Sequence, residues 1–134
     1  MGNYIPKGWH TVTPRLVVPD VAKEVEFLKQ AFAGVGHYQA DIPTEIRIGD
    51  SLLMISEVGV RDVMSGFFYL YVPDVDATYE RALKAGGESL EAPKDMHYGD
   101  RRAMIQDPGG IIWQIATHNE EEFQAFMRER AAGS

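Results

Sequence analysis

Two strand-helix-strand-strand-strand modules in series, closed by a C-terminal helix, make up the α+β fold that this sequence predicts. Three observations carry it. The tetrapeptide Val18-Pro19-Asp20-Val21 recurs as Val72-Pro73-Asp74-Val75, a self-similarity that marks one structural unit used twice. Each copy follows an apolar run rich in branched and aromatic residues, Val12 to Val18 and Phe67 to Val72, as a strand requires. Behind each copy, apolar residues take helical spacing and then give way to short runs broken by turn residues.

In the first unit Asp20 is placed to cap a helix on its Val21, Val25, Leu28 and Phe32 positions, with Lys23, Glu24, Glu26 and Lys29 off that stripe. That helix is expected to reach Ala33 and stop at Gly34. In the second unit Asp74 caps a helix carrying Val75, Tyr79, Ala82 and Leu83, which ends in Ala85-Gly86-Gly87. Strands are expected over His37 to Ile42, Glu45 to Ile48 and Ser51 to Ser56, then over Glu88 to Glu91, Arg102 to Gln106 and Ile111 to Thr117. Pro43-Thr44, Gly49-Asp50, a long Pro93 to Gly99 loop and the tight turn Asp107-Pro108-Gly109-Gly110 separate them. Gly59 to Gly66 reads as the connector.

A last helix is expected from Asn119 to about Ala131. Asn119 suits an N-cap, Glu120 to Glu122 complement the positive helix start, and Arg128 and Arg130 lie near its negative end. Phe123, Phe126 and Met127 give it an apolar face, expected to pack on the sheet or cover an open edge. The whole chain reads as one domain over 1–134, with module 1 at about 8–58, module 2 at about 66–118 and the helix at about 119–131. The terminal Gly133-Ser134 is left out of the fold argument.

Composition narrows the function. Lys and Arg total 13 against 20 Asp and Glu, a net charge of −7, which leaves little means to build the basic face that nucleic acid needs. Cysteine is absent, so disulfides, thiolate metal sites and cysteine nucleophiles are excluded and a reducing cytoplasm is the natural compartment. No signal-like start and no apolar run of membrane-spanning length is seen, so neither nucleic acid nor membrane is an expected partner.

The paired strand-helix starts at Val12 to Asp20 and Phe67 to Asp74, with Tyr98-Gly99-Asp100-Arg101 and Asp107-Pro108-Gly109-Gly110-Ile111-Ile112-Trp113-Gln114, resemble the vicinal oxygen chelate superfamily. That superfamily covers glyoxalase I, extradiol dioxygenases, fosfomycin-resistance enzymes and bleomycin-binding proteins. The resemblance spans about residues 8 to 118, and Val12-Thr13-Pro14 with the later Tyr-Gly-Asp-Arg is most similar to the PhnB-like subgroup. It implies two βαβββ modules whose strands form a cup-shaped mixed sheet with helices on the convex side, a ligand in the cup, and a homodimer as the common assembly. It also implies a place for a divalent metal on the first and last strands of both modules. Carried over residue by residue, those positions fall on Thr13, Phe67, Gln114 and a place near Met54. A divalent ion wants imidazole or carboxylate donors, so no metal and no cofactor is expected.

From those four positions strand alternation assigns Thr13, Arg15 and Val17, then Leu52, Met54 and Ser56, then Phe67, Tyr69 and Tyr71, then Ile112, Gln114 and Ala116 to the cup. Leu16, Val18, Phe68, Leu70, Val72, Trp113 and Ile115 are expected beneath the helices. Thr13, Arg15, Met54, Phe67, Tyr69, Arg102 and Gln114 are the expected ligand-binding residues, suited to a planar or amphiphilic small molecule with an acceptor or negative group near Arg15. Strand parity leaves open whether Arg101 or Arg102 faces the cup. Among the four histidines His97, in the long loop, is the acid-base candidate, and Asp100 is a second. Small-molecule binding without the metal is the first reading. A metal-dependent lyase, transferase or dioxygenase using Gln114, His97 and Glu57, and a metal-free isomerase using His97 or Asp100, are its alternatives.

Overall fold

A computed structural model describes residues 4–59, 61–64 and 66–133; Val60 and Ser65 of the connector and the terminal Ser134 lie outside them. In order the elements are β1 (Arg15–Val18), α1 (Val21–Phe32), β2 (Thr44–Ile48), β3 (Ser51–Glu57), β4 (Phe67–Tyr71), α2 (Val75–Lys84), β5 (Glu88–Asp95), β6 (Asp100–Gln106), β7 (Ile112–His118) and α3 (Glu120–Ala132). The strands form two mixed sheets, one per module, ordered β1-β3-β2 and β4-β7-β6-β5. In each, the strand before the helix runs parallel to the last strand of its module.

The repeat sets both helix starts by the same chemistry. The Asp20 side chain accepts from the Lys23 N–H at 3.1 Å and the Asp74 side chain from the Ala77 N–H at 3.2 Å, each satisfying a donor the first helical turn leaves free. Helix α1 closes through Ala33 in the left-handed conformation, φ 58°, with Gly34 donating to the Leu28 carbonyl at 3.0 Å. The turn at Asp107 is built by its carboxylate. Oδ1 accepts the N–H groups of Gly109 and Ile111 at 2.9 Å each, and Oδ2 accepts Trp113 Nε1–H at 2.8 Å.

Three expectations are corrected. His37 to Ile42 is no strand: Val35 alone bridges to Arg47, and the following segment hangs on the Thr44 hydroxyl, which accepts from the Gln39 N–H at 3.0 Å. Pro43 and the local side-chain bond compete with a ladder there. Strand β5 runs to Asp95, through two register shifts against β6, so only Met96 to Gly99 remain as loop. Glu24, expected off the apolar stripe, is 1% exposed, because α1 packs between its own sheet and the second module and leaves no solvent on that side.

The core explains why. Helices α1 and α2 pack against each other, and the Phe32 ring meets Trp113 of β7 at 5.0 Å in an edge arrangement. Leu16, Val18, Ile46 and Ile55 of one sheet and Ala103, Ile105, Trp113 and Ile115 of the other join one hydrophobic cluster. Both sheets thus spend one face on a shared core, and their opposite faces look outward.

Candidate functional site

The outward faces carry the candidate residues, and alternation decides which. Along β4 Phe67, Tyr69 and Tyr71 are exposed while Phe68 and Leu70 are half-buried against the core. The register then sets neighbours: Tyr69 stands opposite Gln114, Met104 opposite Gln114 on its other side, and Asp100 opposite His118. On the first sheet Arg15 stands opposite Met54 and Val17 opposite Ser56.

The expected ligand-binding residues therefore form two groups. Arg15 and Met54 lie on the first sheet, with Thr13 just before β1. Arg15 donates to Ser56 Oγ at 3.2 Å and borders a cavity of about 400 Å³ floored by Val17 and Met64 and flanked by Arg61. Thr13 and Met54 line a neighbouring cavity of about 480 Å³ under Tyr4, Pro6 and Trp9. Both volumes fall in the range of small-molecule sites. Phe67, Tyr69, Arg102 and Gln114 lie on the second sheet. Among the described residues no side-chain hydrogen bond or ion pair links the two groups.

The second sheet decides between the two arginines. Arg101 turns to the helix side, where it binds Asp76 at 2.8 Å and Asp95 at 3.2 Å; those bonds hold the Asp76 carboxyl below the usual range and raise the guanidinium further. Arg102 turns outward, donating to Tyr98 Oη at 3.1 Å and to Glu91 at 3.3 Å.

Asp100 gathers the remaining groups. It is 4% exposed although it lies on the sheet face away from the core. Its Oδ2 accepts the Tyr69 hydroxyl at 2.6 Å, its Oδ1 lies 2.8 Å from His118 Nδ1, and Tyr98 Oη is 3.4 Å from Tyr69 Oη. Hydrogen bonding to Asp100, and secondarily to Glu120 at 3.4 Å, raises the His118 pKa above its ordinary value. Burial, then the Asp100 partner, pushes the Tyr69 phenol well up, and burial with the Asp100 charge raises Tyr71. These phenols stay protonated. A cavity of about 260 Å³ lies over them, walled by Tyr69, Tyr71, Tyr98, His118 and Phe123.

His97 stands apart from this cluster. It is exposed, with its ring 5.3 Å from Phe126 of α3 and 5.4 Å from Tyr98. His118 is the residue that sequence reasoning passed over; one more step of the alternation that assigns Gln114 and Ala116 reaches it, and one step back from Arg102 reaches Asp100. Helix α3 buries none of its described side chains and meets the site only through its first turns, where Phe123 lies 5.4 Å from His118.

The four positions implied for a metal do not make a donor set. Phe67 has no donor atom, Met54 offers a thioether, and Thr13 and Gln114 offer neutral oxygens, whereas a divalent ion of the expected kind takes charged oxygen or imidazole ligands. Among the described residues no three His, Cys, Asp or Glu side chains gather into a metal-holding group. No described helix is long and apolar enough to cross a membrane.

Paired modules with two outward sheet faces, a shared helical core and polar side chains over a buried carboxylate define the class of α+β binding or catalytic domain. A family model described as the Glyoxalase/Bleomycin resistance protein/Dioxygenase superfamily matches residues 9–115, and the chain belongs to that superfamily. An uncharacterized protein of Mycobacterium bovis (strain ATCC BAA-935 / AF2122/97) is 30% identical over 145 aligned positions, covering 91% of this chain and 95% of that one. The crystal structure of TioX from Micromonospora sp. ML1 superposes with a TM-score of 0.71 at 20% identity, covering 82% of this chain and 99% of the other. A glyoxalase-related enzyme from Fulvimarina pelagi gives 0.70 at 20% identity over 81% of this chain and 88% of its own. These two likenesses show the fold.

Proposed function

We propose that this chain is a small-molecule-binding protein of the superfamily, of the PhnB-like subgroup, that works without the family metal and holds its ligand against the outward sheet faces. The observation that carries the reading is Asp100: a carboxylate 4% exposed on the face the core does not use, hydrogen-bonded to Tyr69 and His118 beneath a cavity. Packing alone has no need of such a network, since a buried charge is costly unless paired and solvated by donors. Arg15 and Arg61 beside the apolar Val17 and Met64 give the first sheet the means to hold an acceptor or anionic group next to an apolar body. A cytoplasmic homodimer is part of the proposal: cysteine is absent, and Phe67 and Tyr71 stay 64% and 62% exposed in the single chain. The net charge of −7 speaks against nucleic-acid partners.

Elemental analysis of protein purified without chelator, with thermal shifts on adding Ni, Zn, Mn, Fe or Mg, tests the metal. A stoichiometric ion, or a melting rise that saturates at stoichiometry, overturns the proposal. Planar and anionic small molecules are then screened by thermal shift; Arg15→Ala is expected to abolish hits held at the first sheet and Gln114→Ala hits held at the second. Sedimentation gives the assembly.

One observation favours a second reading. Asp100 on His118 Nδ1 fixes the imidazole much as an orienting carboxylate does in general-base catalysis, so a metal-free isomerisation is the alternative. Deuterium exchange into small carbonyl compounds, lost in His118→Gln, would establish it.

A further inference from the structure

The cavity over Asp100 is built for one kind of charge. Its floor is a carboxylate with about four acceptor sites, of which Tyr69 and His118 take two. Its walls are aromatic: the Tyr69 and Tyr71 rings lie 5.1 Å apart at 49°, Tyr71 stands at 87° to His118 with centroids 6.3 Å apart, and Phe123 closes the far side of His118. Aromatic faces carry negative potential and attract cations. Arg102, a guanidinium near the rim, is held by Tyr98 and Glu91, and Glu120 adds a negative charge beside the imidazole.

We propose that this cavity binds a small organic ammonium, its charge set over the rings of Tyr69 and Tyr71 and against Asp100, and that the His118 imidazolium competes with it. The inference rests on the reading of this sheet face as a small-molecule site and names the ligand class. It assigns the second sheet to a cation, whereas Arg15 and Arg61 suit the first sheet to an anion. An organic rather than a metal cation fits because the described residues gather no three-ligand group here and the walls are rings.

The competition follows from what faces His118. Asp100 reaches it from β6, Tyr71 from β4, and Glu120 with Phe123 from α3. Glu122 of α3 and Asp74 at the start of α2 border the groove on its other side. Asp76 of α2 and Asp95 of β5 also border that groove, but both are bound to Arg101. An imidazolium at His118 therefore neutralises the carboxylate that a bound ammonium would use, while a neutral His118 leaves it free.

Choline is the probe, titrated into the intact protein by calorimetry from about pH 5.5 to 9, with its uncharged carbon isostere dimethylbutanol and with acetate as comparisons. The wild type is expected to bind choline more tightly as pH rises through the His118 titration, by at most about tenfold per pH unit, and to bind the other two more weakly by about tenfold or more. His118→Gln is expected to bind at every pH with that dependence lost. Asp100→Asn is expected to weaken choline by about tenfold or more, and Tyr71→Leu, at a residue 62% exposed, to weaken it severalfold with an unchanged melting temperature. Dimethylbutanol or acetate binding as tightly as choline, or a wild-type affinity flat with pH, overturns the inference. If either comparison compound binds and Tyr71→Leu removes it, the ammonium assignment fails while the small-molecule reading stands. If none of the three binds, the ammonium assignment fails, and the ligand screen decides the wider reading on its own.

Discussion

Glu24 shows how one residue ties the modules and makes stability depend on pH. Its carboxyl lies against Gly109 and beside Asp107, whose oxygens already accept three N–H donors. Neither Glu24 carboxyl oxygen has a hydrogen-bond partner at bonding distance and angle among the described residues; the Gly109 N–H favours the ionised form, but less than the neighbouring Asp107 carboxylate favours the acid. Burial, and then that neighbour, push its pKa from 4.5 up to about 10. The unfolded chain gives up this proton near pH 4.5 and the folded chain keeps it to about pH 10, so the unfolded state binds fewer protons in that window. The stability from Glu24 is therefore complete below pH 4.5 and is lost as pH rises, by at most about 1.4 kcal/mol per pH unit. Urea unfolding of Glu24→Gln between about pH 5 and 9 is expected to lose this slope and to exceed the wild type at the alkaline end. Parallel profiles would mean that Glu24 is ionised in the fold. Adjacent residues on β7 give a second contrast. Ile115 is fully buried and Gln114 faces outward, so Ile115→Ala should cost about 2–5 kcal/mol in urea unfolding. Gln114→Ala and Arg15→Ala should stay within about 0.5 kcal/mol of the wild type; a loss above about 2 kcal/mol at either would make it structural.

At the scale of elements, α3 is the part held by fewest contacts. None of its described side chains is buried, and its start is fixed by Asn119 donating its N–H to the Gly99 carbonyl at 2.8 Å. Gly99 has φ +100°, and a Cβ there would meet the Phe123 backbone N at 2.6 Å, so only glycine allows this joint. Gly99→Ala is expected to cost roughly 1–3 kcal/mol and to shift the NMR signals of His118 and Phe123; an unchanged melting temperature with unchanged signals would refute the joint. The two central helices were legible in the sequence because their information is local: Asp20 and Asp74 cap within three residues, and their apolar stripes have the helical period. Residues 37–42 were not, since the Thr44 hydroxyl and Pro43 outweigh a marginal strand pattern there. The two sheet faces were legible from alternation alone. Glu24 was not, because its burial is decided by a turn in the other module. The Asp100–His118 pair was half legible: parity reaches both residues, but their contact needs the β6–β7 register.

The whole molecule is two modules with one core, and that arrangement sets how it unfolds. Each sheet gives its inner face to helices that also pack on each other, Phe32 of module 1 lies on Trp113 of module 2, and the buried side chains form one cluster. A single module of this size would bury a smaller share of its surface than the whole chain and be marginal by itself, so the halves should gain stability together. Trp113 is 3% exposed at the junction and Trp9 lies in the segment over the first sheet. In a Trp9→Phe background, Trp113 fluorescence therefore reports the junction while far-UV circular dichroism reports both modules. The two are expected to trace one urea transition with a common midpoint. Phe32→Ala, which empties the contact between the modules, should lower that midpoint by the equivalent of about 3–5 kcal/mol and keep the transition single. Two separate transitions, or a Phe32→Ala variant in which fluorescence changes before the helical signal, would show modules that fold on their own. The Asp100 cavity would then belong to the second module alone, since Tyr69, Tyr98, Asp100 and His118 all come from it.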